Sequence, residues 1–206
     1  MKILVIETAT AACSVALIDA GRLVAERHEL VGRGHAERLV PMIAELPGGG
    51  RADLVLVDCG PGSFTGVRVG LAAARGLGLG WGVEVRGFSS LALIAGAAFA
   101  ADAALATLTV ALTGGHGELF VQRFAAAPLR ALGPLASLLP ADAAHAAGDD
   151  VVAGSGAAVL AEARGGGDAR DLLPRAADIR VLPELLTALP PTPIYGRAPD
   201  AKPAAA

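Results

Sequence analysis

Three short apolar runs, separated by turn residues, open the chain. They cover Lys2–Ile6, Cys13–Ile18 and Leu23–Leu30, and Asp19-Ala20-Gly21 lies between the last two. Apolar runs of this length, ended by residues such as aspartate and glycine, are typical of β-strands joined by tight turns. The pattern predicts a three-stranded antiparallel meander at the start of the chain.

A helical spacing of apolar residues follows the meander. The apolar positions in Leu39–Leu46 recur every three or four residues, which predicts an amphipathic helix beginning near His35. Because Pro41 lies inside this helix, we expect a kink or a short first turn. A second helix is predicted over Ser63–Gly80, and a third over Ser89–Ala101 with Ser89 as its cap.

Buried strands are predicted between these helices, at Leu54–Cys59 and Val83–Arg86. The element order is therefore β-β-β-α-β-α-β-α. Three antiparallel strands followed by alternating helices and strands are typical of the ribonuclease-H-like unit of the actin, sugar-kinase and Hsp70 (ASKHA) fold. We predict an α/β fold of this class, with one complete unit over residues 1–102.

The second half of the chain carries fewer and weaker elements. They are strands at Leu105–Leu112, Glu118–Phe124 and Val151–Ala153, a helix opened by Gly154–Gly156, and a weak last helix at Glu184–Leu189. This set is too short for a full second copy of the first unit. We predict a reduced second ribonuclease-H-like domain over 103–190, followed by a Pro- and Ala-rich tail over 191–206.

Composition and charge narrow the classes of function. The 206 residues are 53% hydrophobic, with a mean hydropathy of +0.55 and a formal net charge of -3. Arginines and glutamates alternate between Arg22 and Arg38, so this region predicts a solvated surface of mixed charge. A protein that holds nucleic acid alone would carry a basic stripe, so we expect RNA to be held by a partner.

The two cysteines and the apolar segments indicate the compartment. Cys13 and Cys59 lie in predicted strands and show neither metal-ligand spacing nor a disulfide framework, which suits a reducing cytoplasm. The first residues read as a strand and lack a signal-peptide pattern. Asp102 interrupts the apolar stretch Leu91–Leu112, which we interpret as a buried helix and strand, with no membrane span. The expected location is cytoplasmic.

A glycine-rich segment, GPGSFTGVRVG over Gly60–Gly70, connects a predicted strand to the second helix. Its glycines permit a tight turn, and a helix N-terminus can receive an anion. The candidate anion- or nucleotide-contacting residues are Gly60, Gly62, Ser63 and Thr65. The segment lacks the Lys-Ser/Thr pair of a P-loop and the GxGxxG spacing of a dinucleotide site. A turn that packs closely on its neighbours is the favoured alternative.

Catalytic groups are not apparent in the pattern. A hydroxyl nucleophile such as Ser63 requires a positioned base, and neither an elbow motif nor a His/Asp arrangement accompanies it. The histidines are scattered, which argues against a metal site. Glu7 follows the first strand, where an acidic group could serve magnesium, but stabilisation of the turn explains it equally well.

The residue pattern of the first two predicted helices indicates an interaction surface. Small residues and an apolar stripe give them a low-relief, apolar character over a wide arc. The predicted partner-binding residues are His35, Leu39, Met42, Ile43, Val67, Gly70, Leu71 and Ala74. The alternative is that both helices only cover the sheet of a monomer.

Five segments together resemble one family. Gly60–Gly70 is similar to the hallmark motif of the TsaB (YeaZ-type) family, which is related to Gcp-like glycoproteases. Four other segments resemble family motifs in the same order: Ile3–Thr10, His35–Ile43, Phe88–Leu91 and Tyr195–Pro203. The resemblance is strong over the first half of the chain and thin over the second. The segment Thr113–Glu118 departs from the family's Asp-Ala-Arg-like pattern.

This resemblance implies a non-catalytic subunit of the bacterial machinery that makes threonylcarbamoyladenosine beside the tRNA anticodon. Its helices would bind the catalytic TsaD subunit as a heterodimer, help recruit the TsaE ATPase, and form a homodimer when TsaD is absent. The His-x-x-x-His metal pair of TsaD has no counterpart in Ser89–Ala101. We expect no cofactor of its own, with ATP or ADP as a candidate at the complex interface, no membrane contact, and tRNA only through the complex. A small-molecule kinase or ATPase of the same fold and a glycoprotease-like peptidase stay as alternatives.

Overall fold

The structure, a computed structural model, describes residues 1–196; most of the predicted motif Tyr195–Pro203 and of the tail lies outside this range. The first sheet has strands β1 (Lys2–Glu7), β2 (Ala12–Asp19), β3 (Arg22–Leu30), β4 (Leu54–Asp58) and β5 (Glu84–Phe88). They lie in the order β3-β2-β1-β4-β5, with β1, β2 and β3 antiparallel and β1, β4 and β5 parallel. This sheet contains the predicted meander and both predicted buried strands.

Three helices belong to this half: α1 (His35–Ala44), α2 (Phe64–Trp81) and α3 (Ser90–Ala101). The helix α1 continues through Pro41, which lacks an N–H and so removes one intrahelical hydrogen bond. The N-cap of α2 is Ser63, whose Oγ accepts a hydrogen bond from Gly66 N. Ser89 occupies the N-cap position of α3, but its side chain makes no capping hydrogen bond, so that part of the prediction was wrong.

The second sheet comprises β6 (Thr107–Thr113), β7 (Leu119–Ala126), β8 (Leu129–Ala131), β9 (Ala136–Leu138), β10 (Val152–Ala153) and β11 (Ala169–Arg170). Its order is β11-β10-β6-β7-β8, and β9 also pairs with β7. Two helices accompany it, α4 (Pro140–Ala147) and α5 (Ala157–Arg164). The predicted last helix is instead a short 3-10 helix at Glu184–Thr187. The fold class, one complete unit and one reduced unit, is confirmed.

Three apolar clusters hold these elements in five layers. One cluster fixes α1 and α2 to the outer face of the first sheet, and another fixes α4 and α5 to the outer face of the second. The third fills the space between the sheets with α3 and a 3-10 helix at Ala176–Val181. Burial on all sides explains why α3 is apolar around its whole circumference. Among residues 1–196, none of the helices is long and apolar enough to cross a membrane.

The chain returns to the first sheet after the second sheet is complete. Ala176 N donates to Ser14 Oγ at 2.9 Å. Further on, Leu189 pairs with Gly87 at the β5 edge, and Ile194 N donates to Cys59 O at 2.8 Å. We call Leu189–Gly196 the C-terminal strap. The division into domains at residue 102 stays a prediction.

Candidate functional site

The predicted partner-binding residues all lie on the inward sides of α1 and α2, facing the sheet. They are His35, Leu39, Met42, Ile43, Val67, Gly70, Leu71 and Ala74, and each is buried. A buried side chain cannot meet a partner directly, so these residues support the helix surface and do not form it. This corrects the sequence-based assignment of contacts. Apolar spacing located the two helices but not the side of each that faces outward, and partner binding by these helices stays a prediction.

Two of these positions show what the buried side does. His35 Nε2 lies 3.0 Å from Ala12 O, which ties the start of α1 to β2. A Cβ added to Gly70 would collide with Thr8 Oγ1, so this glycine lets α2 approach the end of β1 closely. Both residues therefore fix the helices on the sheet.

The outward sides of the same helices are apolar and exposed. Val40 is 62% exposed and Leu79 87% exposed, and a Cβ added to Gly76 or Gly80 would meet no atom within 4 Å. We define the helix face by its members: Val40, Pro41, Ala44, Val69, Ala72, Ala73, Gly76, Leu79 and Gly80. The spacing of its α2 members places them along one side of that helix.

Charged residues border the helix face and are held by ion pairs and hydrogen bonds. On the α1 side, Arg38 forms ion pairs with Glu29 and Glu45 at 2.6 and 3.0 Å. On the α2 side, Arg75 donates to Pro191 O of the C-terminal strap at 2.7 Å. An apolar centre bordered by polar groups is the usual anatomy of a protein–protein interface.

The glycine-rich turn packs tightly on the loop after β1. A Cβ on Gly62 would collide with Ala9 O, and Ser63 N donates to the same oxygen at 2.7 Å. Gly60 has a φ of 90°, and its N–H donates to Asp58 Oδ1 at 2.6 Å. Close packing accounts for the glycines. Anion contact by Gly60, Gly62, Ser63 and Thr65 stays a prediction, although Ser63 and Thr65 are exposed.

Two fully buried carboxyl groups lie under this turn, at the ends of the neighbouring parallel strands β1 and β4. Glu7 Oε1 accepts from Ala9 N at 2.7 Å, and Asp58 Oδ1 also accepts from Ser90 Oγ at 2.8 Å. Glu7 therefore stabilises the turn, which was one of its two interpretations. Within residues 1–196, Glu7 Oε2 and Asp58 Oδ2 have no hydrogen-bond partner.

Burial gives this pair unusual proton affinity. Burial, and then the charge of Asp58, raises the pKa of Glu7 well above its ordinary value. Burial likewise raises the pKa of Asp58 to about 7. The sequence analysis missed Asp58. The signal was an acidic residue ending an apolar strand directly before a Gly-Pro-Gly turn.

A cleft of about 1030 Å³ opens between loops of the two sheets and the C-terminal strap. Ser63 and Arg68 line one wall, and Gly114–His116, in the divergent segment, line another. Ser63 serves as the N-cap of α2, which accounts for its hydroxyl without a nucleophilic role. The clusters of His, Cys, Asp and Glu within residues 1–196 include none that could hold a metal ion.

The sequence of the chain is similar to those of known proteins. The family model of tRNA N6-adenosine threonylcarbamoyltransferase, TsaD, matches residues 27–128. The TsaB biosynthesis protein of Escherichia coli K12 is 38% identical over 125 residues, which are 58% of this chain and 53% of that protein. Its Haemophilus influenzae counterpart is 42% identical over 104 residues, 48% of this chain and 44% of that protein. The chain thus matches about half the length of these curated relatives.

Solved structures cover more of the chain. An uncharacterized Pseudomonas aeruginosa protein with similarity to peptidase YeaZ superposes with a TM-score of 0.78 at 30% identity, over 95% of this chain and 99% of that one. YeaZ from Pseudomonas aeruginosa gives 0.77 at 27% identity, over 94% and 99%. The protein is thus an α/β protein of the ribonuclease-H-like, actin-related class. Within that class, the chain belongs to the TsaB (YeaZ-type) family, as its motifs predicted.

Proposed function

We propose that this protein is a non-catalytic subunit in threonylcarbamoyl transfer to the adenosine beside the tRNA anticodon. It acts by binding the catalytic TsaD subunit through the helix face. The observation that carries the proposal is an exposed apolar face on α1 and α2, the two helices that pack on the outer face of the first sheet. The names of the curated relatives, tRNA threonylcarbamoyladenosine biosynthesis proteins, supply the pathway.

Physical features of the helix face support binding of a helical partner. Gly76 and Gly80 carry no side chain where the surrounding space is open, so another helix can approach the α2 backbone closely. Leu79 and Val40 supply apolar area, and its burial against a partner is favourable. The same face would pair two copies of the chain when TsaD is absent, because a two-fold interface uses one surface twice.

The remaining assignments follow from this one. The heterodimer would help recruit the TsaE ATPase, and ATP or ADP would bind at the joint surface. tRNA would be held by the complex, because the chain carries a net charge of -3. We place the protein in the cytoplasm, away from membranes, where tRNA is modified.

Size-exclusion chromatography with light scattering tests the interface. The chain is measured alone and mixed with TsaD of the same organism, as wild type and as Gly76→Arg. Val159→Arg, at an exposed position of α5, is the matched control. We expect wild type and Val159→Arg to form the heterodimer, and Gly76→Arg to elute separately with a melting temperature no lower than that of wild type, because arginine favours a helix over glycine.

Two results would contradict the proposal. One is the absence of a wild-type heterodimer at micromolar concentration, and the other is full association of Gly76→Arg. The non-catalytic role is tested by reconstitution with tRNA. The chain alone should yield no modified adenosine, whereas TsaD should require it for turnover.

A further inference from the structure

The cleft between the two sheets has no part in the proposed function. Its volume of about 1030 Å³ is at the upper end of the range for small-molecule sites, roughly 300–1,000 Å³. None of the helix-face residues lines the cleft. Val67 and Arg68, which precede the helix-face residue Val69 on α2, do line it. A ligand here would be separate from the partner interface.

Two arginines give the cleft a positive rim. Arg33 is exposed, and within residues 1–196 its guanidinium makes neither a hydrogen bond nor an ion pair. The turn before it is fixed, because Val31 N and Gly32 N both donate to Ala11 O at 3.0 Å. Arg33 is therefore held at the cleft by its backbone, while its charge has no partner among the residues that the structure describes.

Arg68 is the second cation and is held by aromatic groups. Its guanidinium lies 3.2 Å from the centre of the Phe64 ring and donates to Tyr195 Oη at 2.9 Å. No carboxylate of the described chain pairs with it, whereas Arg38, for comparison, pairs with two. Glu118 is the sole carboxylate among the described lining residues, and its Oε2 accepts from Ser137 Oγ at 2.6 Å. The lining thus favours an anion.

Aromatic rings concentrate at the same place. The chain has five Phe, one Tyr and one Trp, and three of these line the cleft: Phe64, Phe120 and Tyr195. Phe64 and Tyr195 are 69% and 62% exposed, so their apolar surfaces are open to a ligand. Planar rings stack favourably on aromatic faces and on arginine guanidinium planes.

We propose that this cleft binds a small planar molecule that carries one anionic group. The anion is held by Arg33 and Arg68, and the ring stacks among Phe64, Phe120 and Tyr195. A nucleoside monophosphate and an aromatic carboxylate share this chemistry. The proposal does not depend on the partner interface, because the two surfaces have no residue in common.

The chain contains a built-in reporter for this site. Tyr195 is its one tyrosine, so biosynthetic incorporation of 3-fluorotyrosine gives a single fluorine resonance from the cleft. The full chain is titrated with AMP, adenosine, inorganic phosphate and salicylate, and calorimetry checks each affinity. We expect saturable binding of AMP or salicylate, and much weaker binding of adenosine and phosphate. The better of the first two identifies the source of the anion.

Arg33→Gln tests the rim without disturbing the described fold, since within residues 1–196 the guanidinium has no hydrogen bond or ion pair to lose. Arg22→Gln, at the exposed start of β3, is the matched control. We expect Arg33→Gln to weaken binding by about tenfold, as the loss of one charge-assisted hydrogen bond predicts. The proposal is overturned if neither anion saturates the resonance, if adenosine or phosphate alone binds as tightly, or if Arg33→Gln binds like wild type.

Discussion

Replacing glycine by alanine on the two sides of α2 should change the stability of the protein in opposite directions. Gly76 lies in the helix interior, and a Cβ there would meet no atom within 4 Å. Alanine favours the helix over glycine by about 0.8–1 kcal/mol. For a chain of this size, that gain raises the melting temperature by roughly 2–4 °C. We expect Gly76→Ala to be more stable than wild type.

Gly70→Ala is the opposed variant in the same helix. Its new Cβ would collide with Thr8 Oγ1, which donates to Gly66 O at 2.8 Å. Thr8 is fully buried, so it cannot swing into solvent, and overpacking of this kind costs about 1–3 kcal/mol. This cost exceeds the propensity gain of about 0.8–1 kcal/mol, so Gly70→Ala should be less stable than wild type.

Thermal and urea unfolding, followed by circular dichroism, compare the two variants with wild type. The expected order of stability is Gly76→Ala, wild type, Gly70→Ala. If Gly76→Ala is destabilised, or if Gly70→Ala gains the same stability as Gly76→Ala, the assignment of an outer and an inner side of α2 is refuted.

Two other predictions concern buried polar groups. Asp58 and Glu7 bind protons more tightly in the folded protein than in the unfolded chain. The free energy of unfolding should therefore fall as pH rises from about 4 towards the folded pKa of Asp58, about 7. Asp58→Asn should flatten the fall in melting temperature between pH 5 and 8, and an unchanged slope would contradict this. His35→Ala leaves the buried Ala12 carbonyl without its 3.0 Å contact, so urea titration should show a loss of about 1–3 kcal/mol; an unchanged midpoint would exclude the anchoring role.

The first half of the fold was predictable because its signals are local. Strands such as Leu54–Asp58 are continuous apolar runs, and the turns between the elements carry glycine and aspartate. In the second half, β6, β7, β10 and α5 were also predicted, but β11 was missed because it has only two residues and is defined by its pairing with β10. The helix α4 was missed since its sequence, PADAAHAA, lacks a clear apolar period.

The candidate site shows the limit of periodicity. In α2, small residues lie on both sides: Gly66, Gly70 and Gly78 face the protein, and Gly76 and Gly80 face outward. The sequence therefore predicts a helix that another surface can approach closely, but it does not say from which side. Only the position of the sheet decides this, and the position depends on strand order.

The cleft lay beyond sequence analysis for a related reason. Arg33, Arg68 and Tyr195 are far apart along the chain but line one cleft, and Tyr195 contacts Arg68 because the C-terminal strap returns to α2. Arg68 lies within the glycine-rich segment Gly60–Gly70, but it was not among the predicted anion-contacting residues, and Arg33 lies outside that segment. Their shared lack of a carboxylate partner is visible only when the other ion pairs are known.

The shared core between the sheets has a consequence for synthesis on the ribosome. Val5 and Leu56 of the first sheet pack in one cluster with Leu108 and Phe124, and with Ile179 near the end of the chain. The amino-terminal half therefore leaves the exit tunnel with one face of its sheet uncovered. This core is complete only after Ile179 has been synthesised, so we expect chains that terminate earlier to expose apolar surface and to bind chaperones.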